Sequence, residues 1–221
     1  MARFTKIEVL QTMKSSGMVP LFYHSDSKVA IEVTKSLYAG GAKLLEFTNR
    51  GDFAQDVFHD LSLYANEHLP ELILGVGSVT DQGTASFYMQ MGANFIVTPV
   101  LREDIAVVCN RKNVLWSPGC GSLTEITKAE ELGCDLVKLF PAGTYGPNFI
   151  KAVRAPQPWT NIMPTGGVSP TEENLSGWFG AGAYCVGMGS KLMAKHDDGS
   201  FDYERIKELT QSALSIIAKL R

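Results

Sequence analysis

Lys138 is the one cation in the apolar run Leu136-Val137-Lys138-Leu139-Phe140-Pro141. An unpaired ammonium in low dielectric costs several kcal/mol, so an amine in such a run sheds its proton or finds an anion. In water, with a pKa near 10.4, roughly one lysine in 2,500 is neutral at pH 7. Desolvation is what turns the side chain into a nucleophile, and enzymes that form a Schiff base with a carbonyl substrate use lysine in that state. The plainer alternatives are a buried salt bridge or a stem that snorkels its charge to the surface. Upstream, Glu46, Thr48 and Arg50 alternate with Phe47 and Asn49. In a strand that spacing points the first three to one side and Leu45 and Phe47 to the other. A carboxylate so placed can move a proton and a guanidinium can grip a carboxylate bidentately, or the two can simply pair as structural ions.

A second set of residues suits an anion. Pro164-Thr165-Gly166-Gly167 and Gly187-Met188-Gly189-Ser190 each follow a strand-like run. Paired glycines let backbone N–H groups approach a phosphate, although isolated glycine pairs also serve as plain tight turns. Gly75-Val76-Gly77-Ser78 offers a hydroxyl at Ser78 that either donates to a substrate oxygen or caps a helix near Thr80.

Composition removes other classes of function. The 221 residues are 45% hydrophobic, enough for one substantial core, and no linker divides them. Twenty basic and 23 acidic residues are spread along the chain for a formal net charge of -3, with no basic block to track a nucleic-acid backbone. No apolar run approaches the ~18 residues of a membrane span, and the first residues lack a secretory core, so a cytoplasmic protein with no membrane partner is expected. Cys109, Cys120, Cys134 and Cys185 show no Cys-x-x-Cys spacing and the four histidines no metal-binding pair. Neither a disulfide frame nor a metal is expected.

The elements that must position these groups follow from a weak internal repeat. Small-residue pairs at Gly41-Ala42, Gly92-Ala93, Gly133-Cys134 and Gly182-Ala183, about 40 to 50 residues apart, each precede a strand-like run. Eight candidate strands read as 18–23, 43–48, 72–76, 94–98, 114–117, 135–140, 161–165 and 183–187, with helical stripes between them such as Phe53, Val57, Leu61 and Tyr64 or Val29, Val33 and Leu37. Ser122-x-x-Glu125 reads as a capping box, and Ser169-Pro170-x-Glu172 as a helix start with proline at its first position. Ile206, Leu209, Ala213, Ile216, Ile217 and Leu220 form a C-terminal helical stripe. Eight βα units predict an α/β fold, a single (β/α)8 TIM barrel over 1–221 with an extra helix over about 3–16; a doubly wound sheet fits the count less well. In such a barrel the site lies where strands end, and phosphate often binds at the seventh and eighth loops.

In these residues the chain resembles the 2-keto-3-deoxy-6-phosphogluconate and 4-hydroxy-2-oxoglutarate aldolases, class I enzymes on a barrel. The resemblance is carried by Glu46-Phe47-Thr48-Asn49-Arg50, Gly75-Val76-Gly77-Ser78-Val79, Ser117-Pro118-Gly119, Val137-Lys138-Leu139-Phe140-Pro141-Ala142, Pro164-Thr165-Gly166-Gly167-Val168 and Val186-Gly187-Met188-Gly189-Ser190, in order over nearly the whole chain. It implies that Lys138 forms the Schiff base, Glu46 shuttles protons through water and Arg50 binds the pyruvate carboxylate, with Ser78 where the family usually has threonine. Thr165, Gly166, Gly167, Gly189 and Ser190 would fall at the phosphate end, no cofactor would be needed, and the assembly would be a homotrimer. The implied reaction cleaves the phosphogluconate or a related 4-hydroxy-2-oxo acid to pyruvate and an aldehyde such as glyceraldehyde 3-phosphate. Asn49, Gly51 and Gly143 depart from the Leu, Thr and Glu common in the family, which bears on the aldehyde half of the substrate. A phosphosugar isomerase or epimerase, or a non-catalytic phosphosugar-binding barrel, are the readings from other classes.

Overall fold

A computed structural model describes residues 2–221. The leading helix α1 is Lys6–Ser16, shorter at its start than expected because Thr5 takes the cap: its side chain accepts from the Glu8 N–H while Glu8 reaches back to the Thr5 N–H. Strands and helices then alternate as β1 (Met18–Phe22), α2 (Ser27–Ala39), β2 (Leu44–Thr48), α3 (Ala54–His68), β3 (Ile73–Gly77), α4 (Gln82–Gln90), β4 (Phe95–Val97), α5 (Glu103–Lys112) and β5 (Leu115–Ser117). The remainder is β6 (Gly119–Cys120), α6 (Leu123–Glu131), β7 (Val137–Leu139), α7 (Ala142–Tyr145), α8 (Pro147–Arg154), β8 (Ile162–Pro164), α9 (Glu172–Gly180), β9 (Val186–Met188) and α10 (Tyr203–Lys219).

The fold is α/β with a curled sheet whose named strand pairs are all parallel. Six strands run in the order β5-β4-β3-β2-β1-β9 and three in the order β6-β7-β8. The expected fifth strand is found as β5, and a short strand that was not expected, β6, follows it beyond Pro118. Proline has no N–H to give a ladder, and its carbonyl instead accepts from the Lys138 N–H at 2.9 Å, so the chain steps there from one arc to the other. At the opposite margin a bridge pairs Thr165 with Gly187.

Alternation along each strand divides the interior in two. One set of side chains, Leu45, Phe47, Leu74, Val76, Ile96, Val137 and Leu139 among them, packs against the helices. The other, with Val19, Leu44, Ile73, Phe95, Val97, Leu115, Leu136, Met163 and Cys185, fills the concave face, sealed at one end by Val9 and Met13 of α1. Two helix readings need correction. Phe53 does not belong to the buried stripe of α3: it precedes the helix at φ 60 with 71% exposure, while Ala54, Val57, Phe58 and Leu61 face inward. The helix after β8 starts at Glu172, not at Pro170, because the Thr171 hydroxyl caps the Asn174 N–H and the Ser169 N–H donates to the Asn174 side chain instead. Ser122 does cap α6, and Ile206, Ala213 and Ile217 do form the buried stripe of α10.

Candidate active site

Lys138 sits in the middle of β7, in register with Gly119 on one side and Met163 on the other. It shares strand parity with Leu136 of the concave cluster, so its stem continues that face toward the strand ends. Only 5% of the residue is exposed. Glu46 lies on the same face of β2, between Leu21 and Gly75 in register, and is 1% exposed. The two feel each other electrostatically, yet neither enters a closed salt bridge among the described residues, and Glu46 Oε2 has no hydrogen-bond partner. The plain ion-pair alternative for Glu46 and Arg50 therefore fails on geometry.

Burial dominates the titration of both groups. Loss of water pushes the Lys138 ammonium below its ordinary range; the Glu46 charge opposes that shift, and the Arg50 charge adds to it. The Glu46 carboxyl is pushed up by burial, against the pull of Lys138 and then Arg50. Both shifts favour neutral forms, an amine with a lone pair beside a carboxyl able to give or take a proton. The Lys138 Nζ also stands 4.7 Å from the centroid of the Phe140 ring, whose face supports positive charge when the nitrogen carries it.

Space for the carboxylate comes from a glycine that motif reading left without a role. A Cβ on Gly77 would overlap Glu46 Oε1, well inside van der Waals contact, so the neighbouring strand must lack a side chain there. Just beyond, Ser78 adopts φ 58, and its hydroxyl accepts from Arg50 Nε at 3.1 Å. Ser78 does not cap the following helix; Asp81 does, accepting from the Thr84 N–H. Arg50 is exposed at the mouth, where a carboxylate arriving from solvent can meet it.

The glycine loops gather on the adjacent strand ends. Thr165 is buried, its N–H donates to Leu139 O at 3.0 Å, its carbonyl accepts from the Ala142 N–H at 2.9 Å, and its hydroxyl has no partner. Gly166 and Gly167 follow at φ +87 and +80, both exposed. Their amides donate to no other backbone group among the described residues. Asn174 of α9 holds the loop by donating to Gly167 O at 3.2 Å, a contact no spacing rule in the sequence announces. Gly189 and Ser190 leave β9 in a turn closed by the Leu192 N–H on Gly189 O at 2.8 Å. Among the described residues no group of three or more His, Cys, Asp or Glu could hold a metal, and no helix is long and apolar enough to cross a membrane.

A desolvated amine, a buried carboxylate and a guanidinium at the ends of parallel strands define a site of the kind used by Schiff-base-forming lyases. Comparison with known proteins narrows this. The sequence profile of the KDPG and KHG aldolase family matches residues 9–209. The 2-dehydro-3-deoxy-phosphogluconate aldolase of Pseudoalteromonas atlantica is 31% identical over 97% of this chain and 98% of its own length. The KHG/KDPG aldolase of Escherichia coli is 28% identical over 91% of this chain and 92% of its own. In fold, the chain matches the KDPG aldolase of Legionella pneumophila, crystallised with pyruvate captured as a covalent carbinolamine intermediate, at a TM-score of 0.82 and 23% identity, covering 92% of this chain and 97% of that one. The chain belongs to the KDPG and KHG aldolase family, whose members are carbon–carbon lyases.

Proposed function

We propose that this enzyme is a class I aldolase that cleaves 2-keto-3-deoxy-6-phosphogluconate, or a related 4-hydroxy-2-oxo acid, to pyruvate and an aldehyde such as glyceraldehyde 3-phosphate. The observation that carries the reading is Lys138, a nearly fully buried lysine whose ammonium form is disfavoured, beside the buried Glu46. The neutral amine attacks the C2 ketone to give a carbinolamine; a proton taken up from solvent lets its hydroxyl leave as water, and a protonated imine remains. Glu46, through a bound water, takes the proton of the C4 hydroxyl; the C3–C4 bond breaks and its electron pair passes into the imine, giving an enamine as the aldehyde departs. The Glu46 carboxyl then returns the proton to C3, and hydrolysis releases pyruvate and restores the amine.

Arg50 and Ser78 act by position: the guanidinium fork holds the keto-acid carboxylate beside the amine, with the Ser78 hydroxyl fixing the fork. Thr165, Gly166, Gly167, Gly189 and Ser190 bind the phosphate at the far end, mainly through backbone N–H groups. This reading takes the two arcs of sheet as one closed (β/α)8 barrel over 1–221, joined at Pro118 and at the Thr165–Gly187 bridge. A homotrimer in the cytoplasm, working without metal or cofactor, completes it.

Borohydride in the presence of pyruvate tests the mechanism. Reduction is expected to fix a stable adduct, placed on Lys138 by peptide mass spectrometry, and an unmodified Lys138 would reject the imine. A substrate panel coupled to lactate dehydrogenase then reports released pyruvate and separates the gluconate, galactonate and shorter oxo acids.

A further inference from the structure

Arg50 is a long, exposed side chain on a loop, and holding such a chain in one place costs rotamer entropy that a rigid base reduces. The loop after β2 is fixed at several points. The Asn49 N–H donates to Gly77 O at 2.8 Å and the Arg50 N–H to Thr48 O at 2.9 Å. Arg50 Nε donates to the Ser78 hydroxyl at 3.1 Å. One more tie comes from outside the strands: the hydroxyl of Tyr88, on α4, donates to Asn49 Oδ1 at 2.8 Å. Tyr88 is 1% exposed, and its ring packs edge-on against Phe58 with centroids 5.0 Å apart, so its hydroxyl has little freedom. Burial pushes that phenol up to about 12, which keeps it a donor throughout the working range. On the other flank, Gly51 at φ +148 leaves room that the Tyr23 hydroxyl occupies, so a side chain there would collide with it.

We infer that Tyr88, acting through Asn49, is a positioning residue that holds the base of Arg50 where its guanidinium meets the keto-acid carboxylate. Asn49 and Gly51, on the two flanks of Arg50, are each matched to a tyrosine hydroxyl in this molecule. The inference rests on the proposed role of Arg50.

The test is steady-state condensation of pyruvate with glyceraldehyde 3-phosphate by the full chain. Tyr88→Phe is expected to raise the pyruvate KM about five- to tenfold while kcat stays within about twofold, because the bond affects capture and not the carbon–carbon step. Arg50→Lys alone should raise the same KM, and adding Tyr88→Phe to it should then change nothing further, since the group being positioned is gone. An unchanged KM in Tyr88→Phe, a loss confined to kcat, or an undiminished KM effect in the Arg50→Lys background would each overturn the inference. Should Tyr88→Phe not accumulate folded, Asn49→Ala removes the same bond from its other end and is expected to give the same split. If Arg50→Lys itself leaves KM unchanged, the role of Arg50 falls, and the inference with it. If only Tyr88→Phe is silent, the inference fails alone and the aldolase reading stands.

Discussion

Two layers of the concave face, built by the same strands at the same parity, have opposite chemistry. Two residues along five of the strand runs, Leu44 gives way to Glu46, Leu115 to Ser117, Leu136 to Lys138, Met163 to Thr165 and Cys185 to Gly187. The lower layer is apolar and closed by α1. The upper layer leaves Glu46 Oε2, the Ser117 hydroxyl and the Thr165 hydroxyl buried without partners. An unsatisfied buried polar group costs about 1–3 kcal/mol, so the upper layer is tolerated by the fold and supported by the lower one. Stability and reactivity are separated by a single step of strand alternation, with no change of backbone.

Exchanging the layers' roles should therefore fail, and the largest effect tests this directly. Lys138→Met is expected to lower turnover more than about 10³-fold while the protein stays folded and gains stability, because a disfavoured charge is removed. The gain depends on pH with a definite sign. With its pKa lowered in the fold, Lys138 binds fewer protons there than in the unfolded chain, so its cost is full at low pH and fades as pH rises toward 10.5. Glu46, deprived of its cation, becomes costlier as pH rises and pushes the difference the same way. Urea unfolding of both proteins at a series of pH values should show the advantage of Lys138→Met shrinking upward. Leu136→Ala, one step below, should instead lose about 2–5 kcal/mol of stability and keep most of its turnover per folded molecule. A variant pair that behaved the other way round would end the distinction between layers.

How far this division could be read in advance depended on the kind of contact. The parity that brings Glu46 and Lys138 onto one face is a local, period-two property, visible in the alternation with Leu45, Phe47, Val137 and Leu139. The glycine pair after β8 was visible because few other residues accept φ near +80. The Tyr88–Asn49 bond joins residues on an α-helix and a strand end that no periodicity relates, and Asn174 reaches Gly167 in the same way. Gly77 stood in a motif, but its purpose shows only when Glu46 is seen in the space its side chain would fill. The two-residue β6 beyond Pro118 is too short to show a period, and the misplacement of Phe53 came from a helical spacing that continued one residue beyond the helix.

An intermediate effect belongs to the seat of Glu46. Gly77→Ala leaves the backbone free to adopt its conformation but puts a methyl where Oε1 lies. Either the carboxylate or the strand must shift, costing about 1–3 kcal/mol of stability and, with the acid–base group displaced, about 10²-fold in kcat. Borohydride trapping of pyruvate should persist, because the amine of Lys138 is untouched; loss of trapping together with turnover would mean that Glu46 is needed for imine formation as well as cleavage.

The smallest effect comes from Ser78, where the two demands meet in one residue. Its φ of 58 lies in the left-handed region, which costs a side-chain-bearing residue about 1–2 kcal/mol. Ser78→Gly relieves that strain but enlarges the freedom of the unfolded chain, so the net gain in stability should be only about 0.5 kcal/mol. The same change removes the hydroxyl that accepts from Arg50 Nε, and the pyruvate KM is expected to rise about threefold, the worth of one modest hydrogen bond. Opposite signs in unfolding and in KM are the signature of a strained residue kept for its contact with Arg50. A loss of stability with KM unchanged would place Ser78 among the residues that only shape the turn.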